Sequence, residues 1–451
     1  MSMFTASYRF LLREPWLAFN RVLTYRVLGH RLQQIQGKEN SYTPEPGSLL
    51  YVAASVLPYH TSGYTTRTHE VVNALGKAGV RVYVHTRPGY PWDRKDRLCD
   101  AVSEETVVGG IRYHHAQTPA NNRPVLQYAL QAARVIAAAA KQHRVAMIHA
   151  ASNHVNALPA LLAARQLGIP FQYEMRGLWE LTRISRQPGY AGSQAYQQGL
   201  QLEGLVASHA DRLFVISQQL RNYAMENWGV NPHHTHLLPN CVDPDRFLLA
   251  DSENIERNTI GYAGSLIGYE GLDTLIEAVG LLIGSGSSVR VNIIGDGESR
   301  QQLEALVRHL NLSKWIRFYG KLTPEAAREI LGRCALVCIP RKPFKVCEIV
   351  PPIKLVEALA MGKPVIVPDL PVFRDELGNT PPGWFFQAGN AGDLARVIQG
   401  ALDNSDQLQK IRIRAREYVL ANRCWQGFME KLAYPPERSV SAFSDSILGQ
   451  S

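Results

Sequence analysis

Short apolar runs alternate along this chain with longer segments in which apolar positions recur every three to four residues. The runs Leu49–Ala54, Val80–Thr86, Val145–Ala150, Phe171–Met175 and Leu213–Ile216 read as strands. Helical patterns at about 66–78, 125–142, 155–167 and 195–208 fall between them. A second series follows, with strands at Thr259–Ala263, Val289–Ile294, Ile316–Tyr319, Leu336–Ile339 and Pro364–Val367. Its helices are expected at about 272–283, 298–309, 324–332, 353–361 and 391–402, with a further helical tail at about 405–432. Such alternation predicts α/β architecture with parallel sheets covered on both faces. Two sheets serve these runs better than one, because a polar break at Pro239–Ile255 separates the series. The expected division is therefore an extension at 1–45, Rossmann-like domains at 46–240 and 241–404, and a helical tail at 405–451 with the length to cross back to the first domain.

The extension is separated from the body by Ser41-Tyr-Thr-Pro-Glu-Pro-Gly-Ser48, which has turn chemistry. Pro15 suits the first turn of a helix, and Leu12, Trp16, Phe19, Leu23 and Val27 then recur at helical spacing. Residues 1–40 carry six basic side chains (Arg9, Arg13, Arg21, Arg26, Arg31, Lys38) against Glu14 and Glu39. Two readings stand: a basic amphipathic helix lying on an anionic membrane surface, or a helix packed on the body with its arginines in water.

Composition narrows the class. With 45% hydrophobic and 19% charged residues, the 451-residue chain is globular rather than disordered or fibrous. No uninterrupted apolar run reaches membrane-spanning length, and no signal-peptide core follows the start. The net charge of +9 comes without a nucleic-acid motif, so no nucleic-acid partner is expected; acidic substrates or an anionic membrane surface fit the excess. Six scattered cysteines without a CxxC pair read as reduced thiols of a cytoplasmic protein. His233, His234 and His236 have no nearby carboxylate or cysteine to complete a metal site, and no metal is expected.

In open parallel sheets, ligands bind beyond the carboxyl ends of the strands, so the loops there are the informative ones. After the first strand, His60, Ser62 and Gly63 precede a helix, where small residues let backbone amides approach an anion. In the second half, Gly264 and Ser265 follow one strand and Gly295-Asp-Gly297 another, but neither loop completes a dinucleotide fingerprint. The densest cluster is Pro340-Arg-Lys-Pro-Phe-Lys-Val-Cys-Glu-Ile-Val-Pro-Pro-Ile-Lys-Leu-Val-Glu357. Arg341, Lys342 and Lys345 suit a diphosphate, and Pro351 and Pro352 leave the amides of Ile353 and Lys354 free at a helix start. Glu348 and Glu357 offer acceptors for vicinal hydroxyls. Cations beside carboxylates describe a nucleotide-sugar site; a solvated loop with ordinary helix charges is the other reading.

At these residues the chain resembles the retaining glycosyltransferases of family 4, which have the two-domain GT-B fold, and in particular a branch with a PRKPxxVCExVxPxKxxEA loop. Leu355-Val-Glu-Ala-Leu-Ala-Met-Gly-Lys-Pro-Val-Ile366 is similar to that family's helix–strand signature, and Asn258–Glu277 to its GYVGSLxxYEGLDxLLEA segment. Val215-Ile-Ser217, Leu238-Pro-Asn-Cys-Val-Asp243, Tyr173-Glu-Met-Arg-Gly-Leu-Trp-Glu180 and Thr86-Arg-Pro-Gly-Tyr-Pro-Trp-Asp93 also resemble family segments, over about residues 50 to 400.

The resemblance implies two parallel-sheet domains facing a central cleft. It implies that Glu357 holds the ribose of a nucleotide-sugar, Glu348 the donor sugar's hydroxyls, and the amides of Ile353 and Lys354 the diphosphate. Gly63 would belong to the first-domain loop at the diphosphate or acceptor, with Gly264 and Ser265 on the opposite loop. His149 and Arg176 lie at strand ends that would face the cleft; a structural role for each stays open. Two departures matter. Glu348 and Glu357 stand 357 − 348 = 9 positions apart, where many members have eight. Ser265 and Glu270 stand where many members carry an Arg and a Lys, so Arg341 or Lys345 is expected to supply the missing charge. The implied activity is metal-independent sugar transfer with retention, needing no cofactor beyond the nucleotide-sugar, a UDP-sugar before a GDP-sugar. The acceptor would be a glycan or a lipid-diphosphate-linked glycan of cell-envelope polysaccharide synthesis, and the setting cytoplasmic or peripheral on the inner membrane face. A catalytically silent GT-B scaffold and a nucleotide-sugar epimerase are the alternatives.

Overall fold

The computed structural model describes residues 3–35, 42–94, 102–250 and 253–433, with side chains omitted for 3–14 and 33–35. Among the described residues there are two sheets, each flanked by helices. The first has the order β3-β4-β2-β1-β5-β6-β7-β8, with β1 Glu45–Ala53, β2 Arg81–Thr86, β3 Glu105–Val108, β4 Ile111–His114, β5 Val145–Ala151, β6 Phe171–Met175, β7 Arg212–Val215 and β8 Thr235–Leu237. The second runs β11-β10-β9-β12-β13-β14, with β9 Glu256–Ala263, β10 Arg290–Ile294, β11 Ile316–Gly320, β12 Cys334–Cys338, β13 Val365–Pro368 and β14 Gly383–Phe386. Neighbouring strands pair in parallel except β3 with β4, which form an antiparallel edge ribbon. The expected α/β GT-B layout of two parallel-sheet domains is present.

The first sheet is covered by α2 (Gly63–Lys77), α3 (Val125–Gln142), α4 (His154–Leu167), α5 (Trp179–Arg186), α6 (Gln194–His209) and α7 (Gln218–Trp228), and α1 (Met3–Ile35) packs outside α3 and α6. The second is flanked by α8 (Leu272–Gly284), α9 (Arg300–His309), α10 (Pro324–Arg333), α11 (Lys345–Ile349), α12 (Ile353–Ala360), α13 (Pro371–Leu377) and α14 (Ala391–Leu402). Two helices close the described chain, α15 (Ser405–Asn422) and α16 (Gln426–Ala433).

β1 shows why its sheet must be covered twice. Leu49, Tyr51 and Ala53 join one apolar cluster and Leu50 and Val52 another, because successive side chains point to opposite faces. All five are fully buried, each large aliphatic one contributing about 1.5–3 kcal/mol. The larger cluster continues without a break from the first domain into Val337, Ile339, Ile349 and Leu355 of the second, so the two bodies share apolar packing at the cleft floor. The tail returns: α16 packs on α2, and Trp425 Nε1 donates to Glu70 Oε2 at 3.0 Å.

The extension departs from its sequence reading. Pro15 lies inside α1, not in its first turn, and the helix carries it where one backbone hydrogen bond is forgone. The residues facing the body are Asn20, Thr24, Leu28 and Leu32, whereas Trp16, Phe19 and Leu23 face out. Asn20 and Thr24 tolerate burial because each donates to a carbonyl of its own helix, Trp16 O at 2.8 Å and Asn20 O at 2.5 Å. The side chains of Leu12, Arg9, Arg13, Glu14, Lys38 and Glu39 lie outside the described residues, as do Cys99 and residues 434–451.

Candidate functional site

The two domains meet where α2 and α12 begin. Ser62 caps α2 in a reciprocal box with Thr65, which fixes the helix start at Gly63. Pro351 and Pro352 fix the start of α12 at Ile353 and supply no capping side chain. The two starts face each other closely: a Cβ built on Gly63 would lie 3.1 Å from Ile353 Cγ2. Each helix start presents amides with no carbonyl one turn back and a partial positive charge, so the gap between them attracts an anion.

First-domain residues hold the entry to α12 in place. Ser217 caps α7 through the Leu220 amide and donates to Ile349 O at 2.5 Å. Asn240 Nδ2 donates to Pro351 O at 3.0 Å. The Val215–Ser217 and Leu238–Asp243 segments therefore clasp the loop of the opposite domain.

Lys354, one position into α12, is the cation nearest this gap. Its ammonium donates to Glu270 Oε2 at 2.7 Å and Tyr262 Oη at 2.9 Å, which occupy two of its three donors. Gly264 is needed beside it, because a Cβ there would come within 2.7 Å of Nζ. Burial and the neighbouring Arg341 lower the Lys354 ammonium below the ordinary lysine range, against the pull of Glu270. Burial would raise Glu270, but Arg341 and Lys354 more than reverse that and hold it at about 2. Both cations thus share one carboxylate, which leaves a net positive charge; Lys354 keeps one ammonium donor to spare, and the Nε of Arg341 is buried without a partner.

The expected substitutes are placed differently. Arg341 is buried, with Nη2 on Glu270 at 2.9 Å, Nη1 on Val350 O at 2.8 Å and Nε without a partner. Leaving Glu270 would take this buried guanidinium away from its ion-pair partner. Lys345 points outward, 61% exposed, and its ammonium lies 3.1 Å from Glu348 Oε2 at the rim. Ser265 is exposed; its carbonyl accepts from Tyr262 Oη at 3.0 Å. Glu357 is partly buried on α12, one turn after Lys354, and burial raises its carboxyl against Lys354, Arg328 and Arg246.

His149 and Arg176 sit below the cleft rather than in it. His149 is fully buried against Tyr51, with Nδ1 3.2 Å from Gln172 Oε1 and Nε2 3.3 Å from Glu174 Oε2. Arg176 donates to Glu174 Oε2 at 2.7 Å, Tyr51 Oη at 2.5 Å, Thr68 Oγ1 at 2.8 Å and Tyr64 O at 2.9 Å. Both are held by partners on β1, β6 and α2, and the buried Nε of Arg176 is the polar atom of the two side chains that has no partner.

Two residues of this knot were not singled out from the sequence. Arg67 Nε bonds Glu174 Oε1 at 2.7 Å, and its Nη atoms reach Pro239 O and Leu238 O, both at 2.7 Å. Glu174 would be raised by burial, but Arg176, Arg67 and the His149 hydrogen bond hold it well below the carboxylate range. The knot ties α2 to the segment that follows β8 and so fixes where Gly63 stands. Glu174 had a signal in its Tyr173–Glu180 segment; Arg67 had none beyond being a charge on the inner face of a helix.

Residues 62–241 match the family model for the glycosyl transferase 4-like domain, and residues 247–418 match that for glycosyl transferases group 1. The chain belongs to the 4-like glycosyltransferases of the GT-B fold. A 2-deoxystreptamine glucosyltransferase of Streptomyces kanamyceticus is 25% identical over 37% of this chain and 45% of its own length. A phosphatidyl-myo-inositol mannosyltransferase of Mycolicibacterium smegmatis is 26% identical over 46% of this chain and 53% of its own. The chain thus spans about half the length of these curated relatives. Among solved structures, sucrose-phosphate synthase from Thermosynechococcus elongatus superposes with a TM-score of 0.69 at 17% identity, covering 85% of this chain and 97% of that one. The Anabaena HepE structure with UDP-glucose gives 0.64 at 16% identity, covering 86% and 98%.

Proposed function

We propose that the protein transfers a sugar from a nucleotide-sugar to a glycan or lipid-diphosphate-linked acceptor, with retention at the anomeric carbon. The observation that carries this is the gap between the starts of α2 and α12, with Lys354 beside it. A leaving nucleotide diphosphate gathers negative charge on its phosphate oxygens. Helix amides and an ammonium already aimed there stabilise that charge with little reorganisation, each contact being worth roughly 3 kcal/mol. The third donor of Lys354 takes the role that the Ser265–Glu270 loop has lost. That replacement removes the reason for reading the altered loop as a silent scaffold.

Glu357, on the same face of α12, then holds the ribose, and Glu348 at the rim meets the sugar hydroxyls. The acceptor hydroxyl attacks the face from which the diphosphate departs, and a phosphate oxygen takes its proton. On this reading the positive charge comes from the protein, so the reaction runs without a metal. UDP is the favoured nucleotide, since the fold neighbour HepE was solved with UDP-glucose. The setting is cell-envelope polysaccharide synthesis on the cytoplasmic face of a membrane, with a lipid-linked acceptor; among the described residues no helix is long and apolar enough to cross one. The test is incubation with UDP-, GDP- and ADP-sugars and a lipid-linked acceptor extract, following nucleotide release and the configuration of the product. Acceptor-dependent release with an α-linked product from an α-linked donor supports the proposal. Conversion of the sugar without acceptor would favour the epimerase instead.

A further inference from the structure

The outward face of α1 has the wrong polarity for a helix that merely packs on a protein. Its buried side is partly polar, and its exposed side carries Trp16 (55% exposed), Phe19 (58%), Val22 (40%) and Leu23 (36%) in one stripe, with exposed Arg26 continuing it. Burial of a large aromatic would ordinarily come first, so exposing two on neighbouring turns marks a surface that something else covers. Charge narrows what that is. Residues 15–35 hold Arg21, Arg26 and Arg31 and no carboxylate. The stripe borders a groove against α6 lined by Gln194, Gln197 and Gln201, which adds no charge. Aromatic rings flanked by arginines and uncharged amides match the interface of an anionic bilayer, where rings sit at headgroup depth and guanidinium groups meet phosphates.

We infer that α1 docks this protein on an anionic membrane through Trp16, Phe19, Val22, Leu23 and Arg26, while its opposite face stays fixed to the body. The inference deepens the proposed function, on which it rests for the lipid-linked acceptor. The fixed face gives docking a consequence. α1 packs on α6, and α6 packs on α5. α5 in turn packs across the cleft on α11 and on the turn at Gly268–Glu270, and its Arg186 lies 3.2 Å from Glu298 of the other domain. A bilayer held by α1 therefore lies on the same side of the first domain as α5, whose exposed Trp179 stands beside the cleft (67% exposed). An acceptor anchored in that bilayer has its headgroup delivered near α5 without the protein having to extract it.

The experiment is co-sedimentation of the full chain with vesicles of phosphatidylcholine alone or with three parts in ten phosphatidylglycerol. The wild type should bind the anionic vesicles and not the neutral ones, and added salt should weaken binding. Trp16→Glu/Phe19→Glu should lose binding at least tenfold, and Arg26→Glu, which cannot disturb packing, about fivefold or more. Thermal stabilisation by UDP should be the same in all three proteins, which separates failure of this inference from failure of the donor site. Equal vesicle binding by wild type and the double variant would overturn the inference. So would a wild-type dimer in solution that the double variant converts to monomer, since the stripe would then be covered by a second copy.

Discussion

Replacing Lys354 with Met tests the assignment of the diphosphate cation, because methionine keeps most of the side-chain volume and removes only the charge. Arg341 and Lys354 together hold Glu270 at about 2, against burial that would raise it. With Lys354 gone the buried carboxylate keeps only Arg341, so the variant should lose roughly 1–3 kcal/mol of stability at neutral pH, read from urea unfolding. The donor effect is separate. A charge-assisted contact to phosphate is worth about 1.5–3 kcal/mol, so UDP should bind roughly 10- to 150-fold more weakly. The double variant Lys354→Met/Glu270→Gln should regain neither stability nor affinity, because it leaves Arg341 buried without its carboxylate partner. Lys345→Met, at the exposed rim, should change neither by more than about twofold. If Lys354→Met binds UDP as the wild type does, the cation is elsewhere and the assignment fails.

Three further outcomes follow from the same geometry. Glu174→Gln removes the carboxylate that pairs with Arg67 and Arg176, and should cost about 3–5 kcal/mol in urea unfolding, as breaking a buried pair does; a loss under 1 kcal/mol would show that the knot does not position α2. Glu357→Ala should weaken donor binding in calorimetry by about tenfold while leaving the fold intact, and unchanged affinity would displace the ribose from this side chain. His85 is driven down to about 3 by burial and by His114, His143 and His115, so the folded state prefers the neutral ring. Its unfolded counterpart takes up a proton near 6.5, so stability falls as pH drops below about 6.5 and keeps falling towards 3, by about 1.4 kcal/mol at pH 5.5. His85→Leu should abolish that part of the acid loss, measured as the difference in unfolding free energy between pH 7.5 and 5.5; identical losses in both proteins would refute it.

The ten apolar runs that read as strands are all strands, because central parallel strands are apolar on both faces and stand out from their surroundings. The strands that were missed sit at edges or are short, and helices α5, α7, α11 and α13 were missed as well. β3 and β4 mix polar and apolar residues because one face of an edge ribbon meets water, β8 has three residues, and α11 has five. α1 was legible as a helix but not in its orientation. Spacing marks Trp16, Phe19 and Leu23 as one face, yet it cannot tell that Asn20 and Thr24 satisfy themselves on their own backbone and turn inward. At the site, motif positions such as Gly63, Ile353 and Lys354 converge. Partner choice was not readable. Nothing in the local sequence distinguishes Arg341, buried on Glu270, from Lys345, exposed at the rim, because what separates them is the position of a loop some seventy residues earlier.

The central claim is that the gap between α2 and α12 is built for the second phosphate of a nucleotide. Calorimetric titration of the wild type with UDP, UMP and uridine asks this directly. UDP should bind about 10- to 100-fold more tightly than UMP, because the helix amides and Lys354 meet a group that UMP lacks. Equal affinities for UDP and UMP would contradict the account.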